Sequence, residues 1–276
     1  MSIVFGIIVG LALGLTGGGG SIFAVPLLIY GLGVAPKSAV AVSLGAVAVT
    51  AAVGAAQSWR DGVIEMRAAL IFAVTSMAAA PLGIYLGGYV SQAVIVILFA
   101  LLMLFVAVRM GLKARQPGSD SSVVRARTSN EAYNDPGTVC HYSPDGRLHM
   151  TAPCSAALLA AGVVVGVLSG FLGVGGGFLI VPALMLITEM GIHRAVATSL
   201  LVITLTGLSG LGSAFVSGRE IDWALTGLFI VGGILGMFGG RVLARYLAGR
   251  TLQVVFAVAM VGVAVFMLVK QLLLGA

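Results

Sequence analysis

Charge is what this sequence has least of. Only 9% of its 276 residues are Asp, Glu, Lys or Arg, against roughly 25% in soluble domains. The few acidic residues avoid the apolar segments: Asp61, Glu65, Glu189 and Asp222 lie near segment ends or in loops. A carrier of cations or protonatable amines is expected to bury a carboxylate, so that class is disfavoured. Histidine is scarce, and none follows His193. "GLSG", Gly207–Gly210, matches the GxSG of intramembrane serine proteases but lacks the histidine base they need on a later helix. There are two cysteines, Cys140 and Cys154, near His141 and His149. Their spacing fits none of the usual zinc-ligand pairs, so no metal site is expected. A nucleotide-binding loop is missing too. "GLGVAPKS", Gly31–Ser38, has Pro36 where the second glycine of a phosphate loop belongs. With no Ser–His, metal or carboxylate constellation inside the apolar segments, the expectation is a protein that is not an enzyme and needs no cofactor. Met1-Ser2-Ile3 carries no basic n-region, so the start reads as mature sequence and not as a removable signal peptide.

What is present is apolar length. The chain is 59% hydrophobic with a mean hydropathy of +1.14, the signature of an all-α polytopic membrane protein whose main partner is the lipid bilayer. Its net charge of +6 needs no nucleic acid to explain it, because the cytoplasmic loops of membrane proteins are rich in Lys and Arg. Apolar segments are expected near 3–31, 39–58, 68–89 and 92–112, and again near 155–188, 195–217, 222–246 and 251–274. Between them, residues 113–153 are polar and rich in Pro and Gly. This divides the chain into a first membrane unit (1–112), a polar linker (113–153) and a second membrane unit (154–276).

The units resemble each other. At a constant offset of 156, Gly14, Gly17, Gly19, Gly20, Val25 and Pro26 meet Gly170, Gly173, Gly175, Gly176, Val181 and Pro182. The register continues from "SAVAVSL" (Ser38–Leu44) to "RAVATSL" (Arg194–Leu200). An internal duplication is a common build for secondary transporters.

Charge asymmetry points to the orientation of the two repeats. If every segment simply spanned, Arg194, Arg241, Arg245 and Arg250 would face the side opposite the linker's Lys113, Arg115, Arg125, Arg127 and Arg147. If the first segment of each unit makes two passes or none, all of these join Arg60 and Arg67 on one side, leaving Lys37, Arg219 and Lys270 on the other. Only the second arrangement obeys the positive-inside rule. It puts the linker in the cytoplasm, where a Cys140–Cys154 disulfide is disfavoured. Length agrees with it. A helix over residues 3–31 would be about 43 Å long, more than the ~30 Å apolar core requires, and its glycine run divides it in two. The expected fold is therefore two repeats, inverted, each with a Gly-broken first segment and three further transmembrane helices.

Glycine costs about 1 kcal/mol relative to alanine inside a helix, so "TGGGGS" at Thr16–Ser21 needs a reason. Irregular backbone at membrane depth is tolerated only when buried in protein or lining a cavity, and the N–H groups freed at a helix start favour an anion. The expected substrate-binding residues are Thr16, Gly17, Gly18, Gly19, Gly20 and Ser21, with Gly173, Gly175, Gly176 and Gly177 from the other repeat. Ser43, Thr198 and Ser199 add hydroxyls early in the following helices. The competing role for the glycines is close helix packing, and for the hydroxyls bonding back to their own helices. Lys37 and His193, at equivalent repeat positions, read as interfacial anchors more than as an anion-attracting pair.

The paired stretches "GLTGGGGSIFAVPLL" and "GFLGVGGGFLIVPAL", each followed by "SAVAVSL" or "RAVATSL", resemble the sulfite exporter TauE/SafE family of membrane permeases. The resemblance covers residues 5–112 and 155–274 and leaves out the linker. It implies transport of a small sulfur-containing anion (sulfite, a sulfonate or thiosulfate) and residence in the bacterial inner membrane. The expected mechanism is alternating access, with an anion channel or a non-transporting membrane subunit as alternatives. Homo-oligomerisation is left open. Ser21 faces Gly177 in the alignment, and Thr16 faces Leu172, so the two half-sites are not chemically equal.

Overall fold

A computed structural model describes residues 1–18, 20–34, 36–87, 89–115, 140, 151–172, 177–188, 190–216, 222–246 and 249–274. Among these residues the chain is all-helical. In order come α1 (Ser2–Thr16), α2 (Gly20–Pro26), a π-helical turn (Leu27–Gly31), α3 (Pro36–Arg60), α4 (Met66–Gly87) and α5 (Gln92–Arg115). After the linker follow α6 (Ala152–Leu172), α7 (Gly177–Ile187), α8 (Ile192–Val216), α9 (Trp223–Tyr246) and α10 (Gly249–Leu274). Among the described residues, five stretches are long and apolar enough to cross a membrane: Ser38–Arg60, Met66–Leu86, Ala152–Phe171, Ile192–Gly212 and Trp223–Ala244.

The glycine run breaks the first segment as expected. Gly17 adopts φ 71, in the left-handed region, and donates its N–H to the Leu13 carbonyl at 2.7 Å, the usual way a helix C-terminus is closed. The chain restarts at Gly20. It reaches Pro26, which lacks an N–H to continue the α ladder, and finishes in the π turn.

Packing between the helices rests on glycine. Gly6, Gly10 and Gly14 of α1 lie against Gly232, Gly233, Gly236 and Gly240 of α9, and a Cβ on Gly10 would overlap the Gly233 carbonyl. Contact positions rise together along both helices, so α1 and α9 run parallel. Similarly, Gly162, Gly166 and Gly170 of α6 lie against Thr75, Ser76 and Ala80 of α4, again parallel. In contrast, Gly45 of α3 approaches Leu211, and Gly54 approaches Leu200, so α3 and α8 are antiparallel. Helix α5 packs on α10. Without water to drive apolar faces together, close backbone approach supplies the van der Waals contact that joins helices in lipid. Side chains such as Leu101, Phe105, Val231 and Phe238 point outward.

These directions set which loops share an end of the bundle. The α3–α4 loop, the start of α6, the start of α8 and the C-terminal end of α9 lie together, joined by ion pairs from Arg194 to Glu65 and from Arg241 to Asp61. One expectation is overturned at this end. Cys140 and Cys154 form a disulfide, and the Cys140 N–H donates to the Ile187 carbonyl at the end of α7, at 3.2 Å. The docking of residue 140 beside the start of α6 brings together two thiols that the sequence shows only as distant neighbours in a polar stretch. The remainder of the linker, with His141 and His149, lies outside the described residues.

Candidate functional site

Inside the bundle the first break meets α8, and the helices that follow the two breaks meet each other. Helix α1 ends at Thr16, and α8 passes across that end. The Ser199 hydroxyl lies 2.8 Å from the Val196 carbonyl and 3.2 Å from the Gly17 carbonyl. Its one proton is shared between them, so the residue is fastened both to its own helix and to the first break. A Cβ built on Gly17 would come within 2.7 Å of the Ser199 Oγ. From the other side, α2 meets α7. A Cβ on Gly177 would lie 3.2 Å from the Ser21 Oγ and 3.1 Å from Ile203.

Gly17, Ser199, Ser21 and Gly177 are thus brought together from four elements. Ser199 and Thr198 are fully buried, and Thr16, Ser21 and Ser43 nearly so. Three hydroxyls bond locally: Ser21 donates to the Gly18 carbonyl at 3.0 Å, Thr16 to Ala12 at 2.6 Å and Ser43 to Val40 at 2.9 Å. For Ser43 this is the back-bonding alternative, and none of the described hydrogen bonds joins it to the breaks. A Cβ on Gly20 would press on Leu13 and the Val9 carbonyl, so that glycine serves the fold of the hairpin itself. Gly19, Gly173, Gly175 and Gly176 lie outside the described residues.

Thr198 leads to contacts the sequence reading missed. Its Oγ1 accepts the Glu65 N–H at 3.2 Å, and the Glu65 carboxylate pairs with Arg194 at 3.1 Å. Next to it, Arg241 donates to Gln57 at 2.7 Å and also to Asp61. Their opposite charges at helix ends were the available signal, but 129 and 180 residues separate the pairs, and only the packing of α3, α4, α8 and α9 brings them into reach. Among the described residues no group of three or more His, Cys, Asp or Glu could hold a metal. Among the described residues the site offers backbone carbonyls and neutral hydroxyls, with Ser199, Ser21 and Thr16 each donating to a carbonyl and the ion pairs confined to one end.

Comparison with known proteins follows the same lines. The family model described as sulfite exporter TauE/SafE matches residues 2–267. A "Probable membrane transporter protein" of Xylella fastidiosa (strain 9a5c) is 36% identical over 268 residues, covering 95% of this chain and 91% of the relative. "Probable membrane transporter protein YunE" of Bacillus subtilis (strain 168) is 26% identical over 267 residues, covering 94% and 93%. No solved structure matches.

Proposed function

From this chain's membership of the sulfite exporter TauE/SafE family of membrane transporters, we propose that it is a secondary permease for a small sulfur-containing anion. Sulfite, a sulfonate or thiosulfate would cross the inner membrane by alternating access, without chemical change. The carrying observation is the packing of the first glycine break on α8 and of the two post-break helices, α2 and α7, on each other, with Gly17 against Ser199 and Ser21 against Gly177. It supports a buried site whose polarity comes from backbone groups and hydroxyls and which offers a cation no carboxylate.

The two halves would act as inverted repeats. The offset that aligns the motifs carries α3 onto α8, and one further residue carries α4 onto α9 and α5 onto α10. Equivalent helices exchange partners, α1 taking α9 while α6 takes α4, and α3 and α8 run antiparallel. That pattern supports a pseudo-two-fold axis in the membrane plane, the arrangement on which rocking of one half against the other depends. Arg60, Arg67, Arg194 and Arg241 gather toward one end, which supports a cytoplasmic linker by the positive-inside rule, against the Cys140–Cys154 disulfide, which favours an oxidising compartment. Export of a monoanion from the cytoplasm would run down the inside-negative potential, at about 2.3 kcal/mol per charge per 100 mV.

Counterflow in proteoliposomes tests the reading. Vesicles preloaded with unlabelled sulfite, thiosulfate or sulfoacetate should accumulate the labelled anion faster than empty ones. Conductance without trans-stimulation would mean a channel, and no flux of any anion would remove the transport reading.

A further inference from the structure

Among the described residues, the ion pairs at the Arg-rich end have no counterpart at the other end. In the aligned register Arg194 corresponds to Ser38 and Arg241 to Ile84, so neither guanidinium has a counterpart. Glu65 corresponds to Asp222, but the roles differ. Asp222 caps its own helix, its Oδ1 accepting the Leu225 N–H at 2.9 Å. Glu65 reaches across to α8, pairing with Arg194 through its side chain and with Thr198 through its N–H.

The geometry matters because of what lies below it. Thr198 is fully buried, and its neighbour Ser199 touches the Gly17 carbonyl. The five-residue loop from Asp61 to Glu65 is therefore fastened directly above the end of α1. Arg241 holds the loop's first residue and Gln57 of α3, and Arg194 holds its last. One half contributes both carboxylates and the other half both arginines. Movement of the α3–α4 loop away from α8 and α9 must part these pairs, while the glycine seams that join the same two halves stay closed. Partly exposed ion pairs are weak enough to break and re-form at each cycle, unlike the glycine seams, whose backbone contacts allow little sliding.

We propose that Asp61–Arg241 and Glu65–Arg194 form a latch that closes the contacts of Gly17 with Ser199 and of Ser21 with Gly177 toward the Arg-rich end. The inference rests on the transport reading for its purpose but not for its test. Opening toward the Arg-rich end is then limited by the parting of these pairs. Opening toward the other end is not.

The test uses Ser21→Cys as a reporter at the breaks, in full-length protein carrying Cys140→Ser and Cys154→Ser, in vesicles of defined orientation. A membrane-impermeant thiol reagent is applied from each side. Asp61→Asn with Glu65→Gln removes both carboxylate charges at nearly constant volume. Labelling from the Arg-rich side should rise on the order of threefold to tenfold, and labelling from the other side should not rise. Exchanging charges with Glu65→Arg and Arg194→Glu, with Asp61 intact, should return labelling to within about twofold of the parent. An unchanged rate after charge removal, an equal rise from both sides, or failure of the exchange to restore slow labelling would overturn the latch. Counterflow on the unsubstituted chain separates the two ideas: a latch-dependent labelling rate in a protein that moves no anion leaves the latch standing and removes the transport reading.

Discussion

The Ser199 hydroxyl touches the Gly17 carbonyl at 3.2 Å, across a sequence separation of 182 residues. This contact joins the end of α1 to α8 at the one described break where the backbone is left-handed. Gly17→Ala should therefore act twice. A side chain at φ 71 costs about 1–2 kcal/mol, and its Cβ would press on Ser199 and Val196. Ser199→Ala removes a hydrogen bond worth about 1 kcal/mol without strain. Thermal melting in detergent should rank Gly17→Ala below Ser199→Ala, and anion affinity should fall in both. A Gly17→Ala protein with native melting and native affinity would remove this contact from the site.

The seam glycines should affect stability without being substrate contacts. Gly10→Ala and Gly166→Ala place a methyl on the backbone of the facing helix, at Gly233 and Ser76 respectively. Separation of either helix pair should lower the melting temperature by several degrees, in line with overpacking costs of about 1–3 kcal/mol. Gly227→Ala and Gly239→Ala meet nothing within 4 Å and should be neutral. Gly232, which lies in an unbroken helix, belongs with the first group, because a Cβ there would meet the Ile3 carbonyl. Equal melting across all of these variants would show that the seams do not hold the bundle together.

Inversion of the repeats makes a labelling prediction at four exposed aromatic positions. Trp59 and Tyr246 close helices at the Arg-rich end, whereas Tyr89 and Trp223 lie at the other end, and all four are exposed. Single cysteines at 59 and 246, on a background without Cys140 and Cys154, should react from the linker's side of the membrane. Cysteines at 89 and 223 should react from the opposite side. Reaction of 59 and 223 from the same side would exclude the inverted arrangement.

The linker should be dispensable only in part. Residues 118–138 lie outside both repeats and before the docked Cys140, so a flexible replacement there should leave insertion and counterflow intact. Cys154→Ser should cost more. A disulfide closing a loop of this length contributes on the order of 3 kcal/mol through the unfolded chain, and its loss also loosens the hold on Ile187. The check is limited proteolysis with and without reductant. Faster cleavage between α5 and α6 is expected after reduction. An unchanged pattern would mean that the disulfide does not fasten the linker.

The class of the protein and its helix borders were legible in the sequence for a simple physical reason. Apolar length sets a span, and Gly17, Pro26 and Pro182 punctuate it through backbone geometry that any neighbour would leave unchanged. The doubled glycine motif could be read in the same way, residue against residue at one offset. Helix partners could not be read. Facing lipid, both sides of a membrane helix are apolar, so periodicity does not mark the buried face as it does in a soluble bundle. The spacing of Gly6, Gly10 and Gly14 was visible, and so was that of Gly232, Gly236 and Gly240. Nothing local says that one set closes on the other.

The same division runs through the site. Composition determined that the membrane interior holds no charge and that polarity there must come from backbone and hydroxyls. Only the tertiary structure decided which hydroxyls reach the break. Ser199 reaches a break on the other half of the chain, while Ser43, alike in sequence setting, turns back to Val40. It also decided that Glu65 and Arg194, and Asp61 and Arg241, are partners, and that Cys140 meets Cys154. Those contacts depend on the relative placement of helices far apart in the chain, which is set by the fit of glycine seams and not by any property of the residues that end up touching.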